Sequence, residues 1–330
     1  MRYLRFGVIG WGYWGPKVAR NLASLPNATV SMVVDMDVHR LASIGDSVPG
    51  VETTTDLKDL MRSNVDAVAI ATPVRTHYQL AREALLHGKH VLVEKPLTAS
   101  VEEAEELVAL AEERQLILMV GHTFEYSPPV QELRKLIQNG DLGKIYCVEA
   151  ERVNLGLFRN DINVIWDLAP HDISILLYLL GKVPGQIKVQ AHAHIQPSIH
   201  DVAHIDLNYA DGMNAHIHVS WLHPCKIRRV TVIGDAKMVV YDDTNPAEAI
   251  KIYNKGANVD ADPVVSYRYG EISIPHIGWI EPLRLECEDF ASAIRNGTVP
   301  RANGRVGLEV VRVLAAAQQA LEQQERIAIG

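Results

Sequence analysis

The sequence predicts an α/β fold in which an N-terminal parallel sheet wound with helices is followed by an α+β domain with a large, mostly antiparallel open sheet. Three observations predict it. Strand-like and helix-like segments alternate from Arg5 to Gly121, the pattern of βαβ units around a parallel sheet. A G-x-G-x-x-G at Gly10–Gly15 closes the first apolar segment and opens the first helical one, which is where a tight glycine turn has a structural purpose. From His122 the pattern changes, and after a helix over 169–180 period-two runs appear, joined by short turns such as Ala210-Asp211-Gly212, the signature of antiparallel strands with one face packed.

Taken in order, residues 5–10 read as a buried strand, 12–25 as a helix and 29–35 as a Val-rich strand. The alternation continues as helix 56–63, strand 67–71, helix 76–87, strand 90–94, helix 100–114 and strand 117–121. The first domain is therefore predicted to span 1–121 and the second 122–330. In the second, Pro128-Pro129 starts a helix over 130–139, strands begin at Ile145, and an amphipathic helix covers 169–180. Period-two strands follow at 187–193, 203–209, 214–221 and 228–233. Two closing helices, 282–295 and 304–323, are separated by Asn296-Gly297 and are long enough to pack back on the first domain.

Composition narrows the function classes. The net charge is −8 with no Lys/Arg-rich run, so a polyanion is repelled and nucleic acid is not an expected partner. No signal-peptide pattern opens the chain and no apolar window approaches the roughly 18 residues of a membrane span. Cys147, Cys225 and Cys287 are far apart with no metal-ligand spacing, which suits reduced thiols and an expected cytoplasmic location.

The glycine motif gives the first chemistry. Gly10 permits the turn, Gly12 lets the backbone approach a pyrophosphate, and Gly15 lets helix and strand pack, with Tyr13 and Trp14 in the same loop. Asp35 follows Gly15 by twenty residues at the end of the second strand, where its carboxylate accepts ribose hydroxyls and repels a 2′-phosphate. This combination predicts a Rossmann dinucleotide site with NAD preferred over NADP, although Arg40 nearby softens the discrimination. A helix cap is the alternative reading of Asp35.

Ala71-Thr72-Pro73 with His77 closes another strand–helix junction at the same sheet edge. Thr72 and Pro73 are placed to line the nicotinamide ribose, or else form a plain turn with Thr76 capping the next helix. Glu94-Lys95-Pro96 ends the fifth strand, putting an ammonium where open α/β sheets bind ligands. Lys95 is either surface decoration or a group whose pKa burial lowers toward proton transfer. In Trp166-Asp167-Leu168-Ala169-Pro170-His171, Asp167 and His171 are four apart. If a helical turn includes both, the carboxylate orients the imidazole and raises its basicity; otherwise Asp167 caps the helix.

With these motifs together, the chain resembles the glucose-fructose oxidoreductase, inositol dehydrogenase and MocA family of NAD(P)-dependent oxidoreductases. The resemblance runs from Gly10–Gly15 through Ala71-Thr72-Pro73 with His77, Val93-Glu94-Lys95-Pro96, Gly121-His122 and Gly140–Ile145 to Asp167 with His171 and the closing Arg301, Gly304 and Leu308–Val311. It implies that Lys95 lies beside the nicotinamide and that His171 with Asp167 is the acid/base pair at the substrate. Gly10, Gly12, Tyr13, Trp14, Gly15, Asp35, Arg40, Thr72, Pro73, His77, Glu94 and Lys95 then form the cofactor site. It also implies a homodimer or homotetramer built through the C-terminal sheet.

One departure is visible. Family members carry glycines shortly before the Asp, whereas this chain has Asn160-Asp161-Ile162-Asn163-Val164-Ile165-Trp166. With Arg152, Asn154 and Arg159, this segment is similar to that of members that oxidise C3 of nucleotide-linked sugars, and these basic groups suit a sugar carboxylate or diphosphate; a solvated loop is the plainer reading. The expected substrate contacts are His122, Tyr126, Arg152, Asn154, Arg159 and Trp166. The expected reaction is hydride transfer between a sugar hydroxyl and the nicotinamide. The alternatives are a cyclitol or free-sugar dehydrogenase, a redox-neutral enzyme that never releases its cofactor, and a non-catalytic dinucleotide-binding regulator. No metal is expected: His192 with His194 and His216 with His218, followed by His223, alternate along strands, and without carboxylate or Cys partners near them they read as an interface face.

Overall fold

The computed structural model describes residues 3–42, 44, 50–259 and 264–329. The chain divides into two compact units, Met1–Tyr126 with Ile280–Val311, and Ser127–Trp279 with Arg312–Gly330.

The first unit contains β1 (Leu4–Ile9), α1 (Gly15–Ala23), β2 (Ala28–Val34), α2 (Val38–Ala42), β3 (Glu52–Thr54), α3 (Leu57–Arg62), β4 (Ala67–Ile70), α4 (His77–Leu86), β5 (His90–Glu94), α5 (Val101–Glu113) and β6 (Leu118–Gly121). Its six strands are parallel in the order β3-β2-β1-β4-β5-β6. Strand order reverses between β1 and β4, the switch point at which doubly wound sheets bind dinucleotides. Both faces are buried. Phe6 and Val8 pack with Val18 and Leu22 of α1 on one side, and Ile70 and Val91 with Leu85 of α4 and Leu107 of α5 on the other. Such strands read as continuous apolar runs, which is why their sequence signal is strong.

The second unit holds α6 (Pro128–Gln138), β7 (Ile145–Val153), α7 (Val164–Leu180), β8 (Gln186–His192), β9 (Val202–Asn208), β10 (Asn214–Ser220), β11 (Ile227–Gly234), β12 (Met238–Asp242), β13 (Ile250–Val259) and β14 (Val265–Ser273). The short β15 (Ile327–Ala328) completes a nine-stranded sheet ordered β14-β13-β12-β11-β7-β10-β9-β8-β15. Only the β7–β10 pair is parallel among the paired strands described. α7 packs on β7, β9 and β10, and α6 on β12 and α7. Val148, Ala150, Ile205, Ile217 and Val230 point into this layer, while Glu149, Glu151, His204, His216 and Arg229 alternate onto the other face.

The closing helices are α8 (Pro282–Asn296) and α9 (Gly304–Gln323). Leu283, Cys287 and Phe290 of α8 belong to the same buried cluster as Leu4 and Phe6, with the Phe6 and Phe290 rings 6.1 Å apart.

The fold differs from the sequence expectation in several places. α2, β3, β12, β13, β14 and β15 are additional elements. α7 begins at Val164 rather than near 169, because the Asn163 side chain accepts hydrogen bonds from the amides of Ile165 and Trp166. Pro170 is accommodated inside that helix, so it marks neither start nor stop.

Candidate active site

The glycine loop between β1 and α1 has the shape its three glycines require. Gly10 has φ +95°, and a side chain there would meet the Ala71 carbonyl oxygen at 2.8 Å. A Cβ on Gly15 would lie 2.1 Å from the Gly10 carbonyl oxygen. At Gly12 the nearest atom to a Cβ is Arg40 Nη1 at 3.8 Å, so a side chain would fill the open space that a pyrophosphate needs beside the helix end. Trp14 caps α1 without a side-chain bond; in the first turn Pro16 has no N–H and the Lys17 amide donates to the Trp14 carbonyl at 3.0 Å. Tyr13 is exposed with Lys17 Nζ 3.3 Å above its ring.

Asp35 fastens this loop. Its Oδ2 accepts the Trp11 amide at 2.6 Å and its Oδ1 the Asp37 amide at 2.9 Å. Each oxygen keeps a lone pair for a ribose hydroxyl. Arg40 Nη1 stands 3.7 Å from Asp35 Oδ2 on the solvent side. The carboxylate thus caps no helix; it ties β2 to the glycine turn. The residues present fit a dinucleotide.

At the next two strand ends, His77 joins the loops. It is 1% exposed, with Nδ1 2.9 Å from the Pro96 carbonyl and Nε2 2.8 Å from the Thr72 carbonyl. Burial lowers its pKa, partly opposed by these carbonyls. Its ring is engaged with protein, so its expected ligand contact is corrected to a brace for Thr72 and Lys95-Pro96. Thr76 places no side-chain cap on α4; its hydroxyl donates to Thr72 Oγ1 and shares the Pro73 carbonyl.

Lys95 follows β5 through a cis Lys95–Pro96 peptide. Glu94 and Gly121 pair across β5 and β6, which brings Lys95 and His122 out at adjacent strand ends. Burial, with the Lys95 ammonium second, pulls the His122 pKa down to about 3. It is 0% exposed, so its expected substrate contact does not stand. Tyr126 is also corrected: its hydroxyl donates to Asp289 Oδ2 at 2.7 Å and accepts the Ala302 amide at 3.2 Å, and it is 2% exposed.

In the second unit Asp167 and His171 lie one turn apart within α7, on one face. Trp221 at the end of β10 donates from Nε1 to Asp167 Oδ2 at 3.0 Å. Trp221 is 1% exposed and packs edge-on against Phe158 at 5.9 Å. This clamp aims the carboxylate along the helix surface. Trp166 is half-buried in the first turn of α7.

Arg152, expected at the substrate, is instead held in a buried bidentate pair: Nε and Nη2 donate to Asp172 at 2.8 and 2.9 Å, with the residues 4% and 1% exposed. Arg159 is engaged with Asp161 by two bonds of 3.0 and 3.1 Å. Asn154 gives its amide to the Ser220 carbonyl, beside Gly156 and Trp221. Trp221 and Asp172 were not legible as site residues, since their partners lie 54 and 20 positions away.

The strand histidines do have carboxylate neighbours, contrary to the sequence expectation. His216 Nδ1 is 2.6 Å from Asp206 Oδ1, His218 Nδ1 is 3.7 Å from Glu151 Oε1, and His194 Nδ1 is 2.7 Å from Asp201 Oδ1. His204 and His218 stack at 4.3 Å. Among the described residues no group of three or more His, Cys, Asp or Glu has the arrangement to hold a metal, and no helix is long and apolar enough to cross a membrane.

Comparison with known proteins agrees with this geometry. The model of the Gfo/Idh/MocA family described as "Oxidoreductase family, NAD-binding Rossmann fold" matches residues 4–122, and its "GFO/IDH/MocA C-terminal domain" matches 130–240. UDP-N-acetylglucosamine 3-dehydrogenase of Acidithiobacillus ferrooxidans is 31% identical over 97% of this chain and 96% of that protein. A solved structure of that dehydrogenase superposes with a TM-score of 0.82 at 28% identity, covering 98% and 99% of the two chains. The scyllo-inositol 2-dehydrogenase (NAD(+)) of Bacillus subtilis is 24% identical over 90% of this chain and 88% of its own. The glycine turn, the Asp35 clasp and a family match across both units lead to one conclusion: the chain belongs to the Gfo/Idh/MocA oxidoreductases and uses NAD.

Proposed function

We propose that the protein oxidises a secondary hydroxyl of a nucleotide-linked sugar, C3 of a UDP-N-acetylhexosamine or its uronate. Near end-to-end similarity to a UDP-N-acetylglucosamine 3-dehydrogenase at 31% identity carries this reading. Bound NAD supplies the hydride acceptor. His171 takes the hydroxyl proton, and Asp167, itself held by Trp221, orients the imidazole. Lys95 at the carboxyl edge of the first sheet stabilises the developing alkoxide. Asp35 and the glycine turn fix the dinucleotide. Arg159 and Asn154, beside the segment that replaces the family's glycines, contribute to substrate selection.

A panel of UDP-N-acetylglucosamine, its uronate, free sugars and inositols, each with NAD, tests this through appearance of the reduced-nicotinamide absorbance. Reduction with a UDP-sugar is expected, and reduction with inositols alone would overturn the substrate class. No reduction with any of them would overturn dehydrogenation itself.

We also propose that the polar face of the nine-stranded sheet meets a second copy, in a dimer or tetramer. A depression of about 430 Å³ there is lined by Glu149, Glu151, His204, Asp206, His216 and His218 among others. Burial lowers the His218 pKa from its ordinary value, the neighbouring His204 adds to this, and Glu151 opposes it. A folded pKa below the unfolded one means that protonation is disfavoured in the native state. Stability from this site is then present at neutral pH and lost as pH falls below about 6.5. Sedimentation is expected to show a smaller assembly at about pH 5.5 than at about pH 8; equal assemblies would contradict it.

A further inference from the structure

Asp201, just before β9, is a carboxylate only 1% exposed in the unit that carries Asp167 and His171. Its Oδ2 accepts the amides of His194 and Ile195, each at 2.8 Å, and its Oδ1 lies 2.7 Å from His194 Nδ1. These three bonds fold the segment between β8 and β9 back onto residue 201. Burial works to raise the Asp201 pKa, but the His194 ring and the two amides outweigh it and hold the group below its ordinary value. The carboxylate is therefore ionised at neutral pH, and a buried carboxylate is tolerated because it is hydrogen-bonded.

The backbone of the same residue links two strand ends. Its amide donates to the His192 carbonyl at the end of β8, and its carbonyl accepts the amide of Trp221 just past β10, both at 2.9 Å. One residue earlier, the His200 carbonyl accepts the Val164 amide at 3.0 Å. Val164 and Asp167 share the first turn of α7. Two consecutive carbonyls thus hold the two partners of one hydrogen bond, that from Trp221 Nε1 to Asp167 Oδ2 at 3.0 Å.

Trp221 has little freedom of its own. Its carbonyl accepts the Gly156 amide at 2.9 Å, so amide, carbonyl and indole are all engaged. A hydrogen bond weakens steeply once its angle is lost. A shift of the backbone at His200 and Asp201 therefore turns Trp221 against α7 and misdirects the Asp167 carboxylate. Any residue at position 201 supplies an amide and a carbonyl; the carboxylate ties them to the loop.

We propose that Asp201 is a positioning residue for the acid/base pair: by clasping the loop over 193–200 it fixes the backbone from which Trp221 and the start of α7 are hung, and so the direction of Asp167. This rests on the reading of Asp167 and His171 as that pair.

Nuclear magnetic resonance of isotope-labelled indole N–H groups on the full chain tests the linkage without substrate or cofactor. Trp221→Phe identifies the resonance, and Asp167→Ala gives its position without the bond. In Asp201→Ala the resonance is expected to move toward that position, while kcat with UDP-N-acetylglucosamine falls by about tenfold to a hundredfold, the scale of a small misplacement of reacting groups, and KM for NAD holds. Asp201→Asn is expected to recover most of both, because its oxygen accepts the amides and its NH₂ donates to the His194 ring. A wild-type resonance in Asp201→Ala, or a moved resonance with wild-type kcat, would overturn the proposal. Should Asp201→Ala fail to fold, His194→Ala decides: it removes the ring bond from a half-exposed side chain and is expected to shift resonance and kcat the same way by a smaller amount, and no shift would overturn the proposal. Absence of sugar oxidation in wild type would fall on the proposed function, and the resonance would still decide the linkage.

Discussion

Alanine at position 95 is expected to lower kcat for sugar oxidation by about a hundredfold to a thousandfold, the usual loss when one preorganised group facing the developing oxyanion is removed. NAD affinity is expected to change little. In the proposed site the dinucleotide is gripped elsewhere, by the turn at Gly10–Gly15 and by Asp35, whose carboxylate is anchored by the Trp11 and Asp37 amides. The loop holding Lys95 also keeps its shape without the ammonium, because His77 reaches the Pro96 carbonyl independently of it. Steady-state kinetics with a nucleotide sugar, alongside NAD titration by fluorescence, separates the two effects. Near-wild-type kcat in Lys95→Ala would remove the lysine from the chemistry.

Asp172→Ala is expected to produce the largest loss of stability. It strips the bidentate partner from Arg152, a guanidinium only 4% exposed, and an uncompensated buried charge costs about 3–5 kcal/mol. Replacing both partners together, Arg152→Met with Asp172→Leu, is expected to recover most of that loss, because an apolar pair needs no desolvation of charge. Urea midpoints of the three proteins measure it. An unchanged midpoint in Asp172→Ala would show that the pair holds nothing. The substitution also bears on activity, since Asp172 follows His171 on α7: an arginine seeking solvent would displace the turn that sets Asp167 against Trp221.

The first unit was legible because its strands are buried on both faces and its glycine turn tolerates no substitute, so residue type and geometry coincide at Gly10 and Gly15. The Asp35 clasp on Trp11 was not, since a carboxylate after a strand serves equally as a helix cap. In the second unit β12–β14 escaped notice. β14 is exposed along most of its length, so the burial that imposes a period of two is missing. β3 has three residues, too few for any pattern. The start of α7 was misplaced because Pro170 resembles a first-turn proline, whereas Asn163 does the capping. Roles given to Tyr126 and Arg152 failed for a shared reason: Asp289 and Asp172, their partners, are distant in sequence, and a polar residue that looks available for a ligand can already be engaged. His77 was recognised as special without its purpose being visible, which needed the carbonyls of two separate loops.

The packing of Phe290 against Phe6 constrains the order in which the protein can be made. β1 is synthesised long before α8, yet one face of that strand is covered by that helix. Until then the nascent chain carries an open apolar surface around Leu4 and Phe6, a site for chaperones or for unwanted association. The central strand β7 waits in the same way for β10 and β11, its two neighbours in the sheet. The first unit cannot finish folding until α8 has emerged, and a chain interrupted before α8 would expose the side of the first sheet that the folded protein hides.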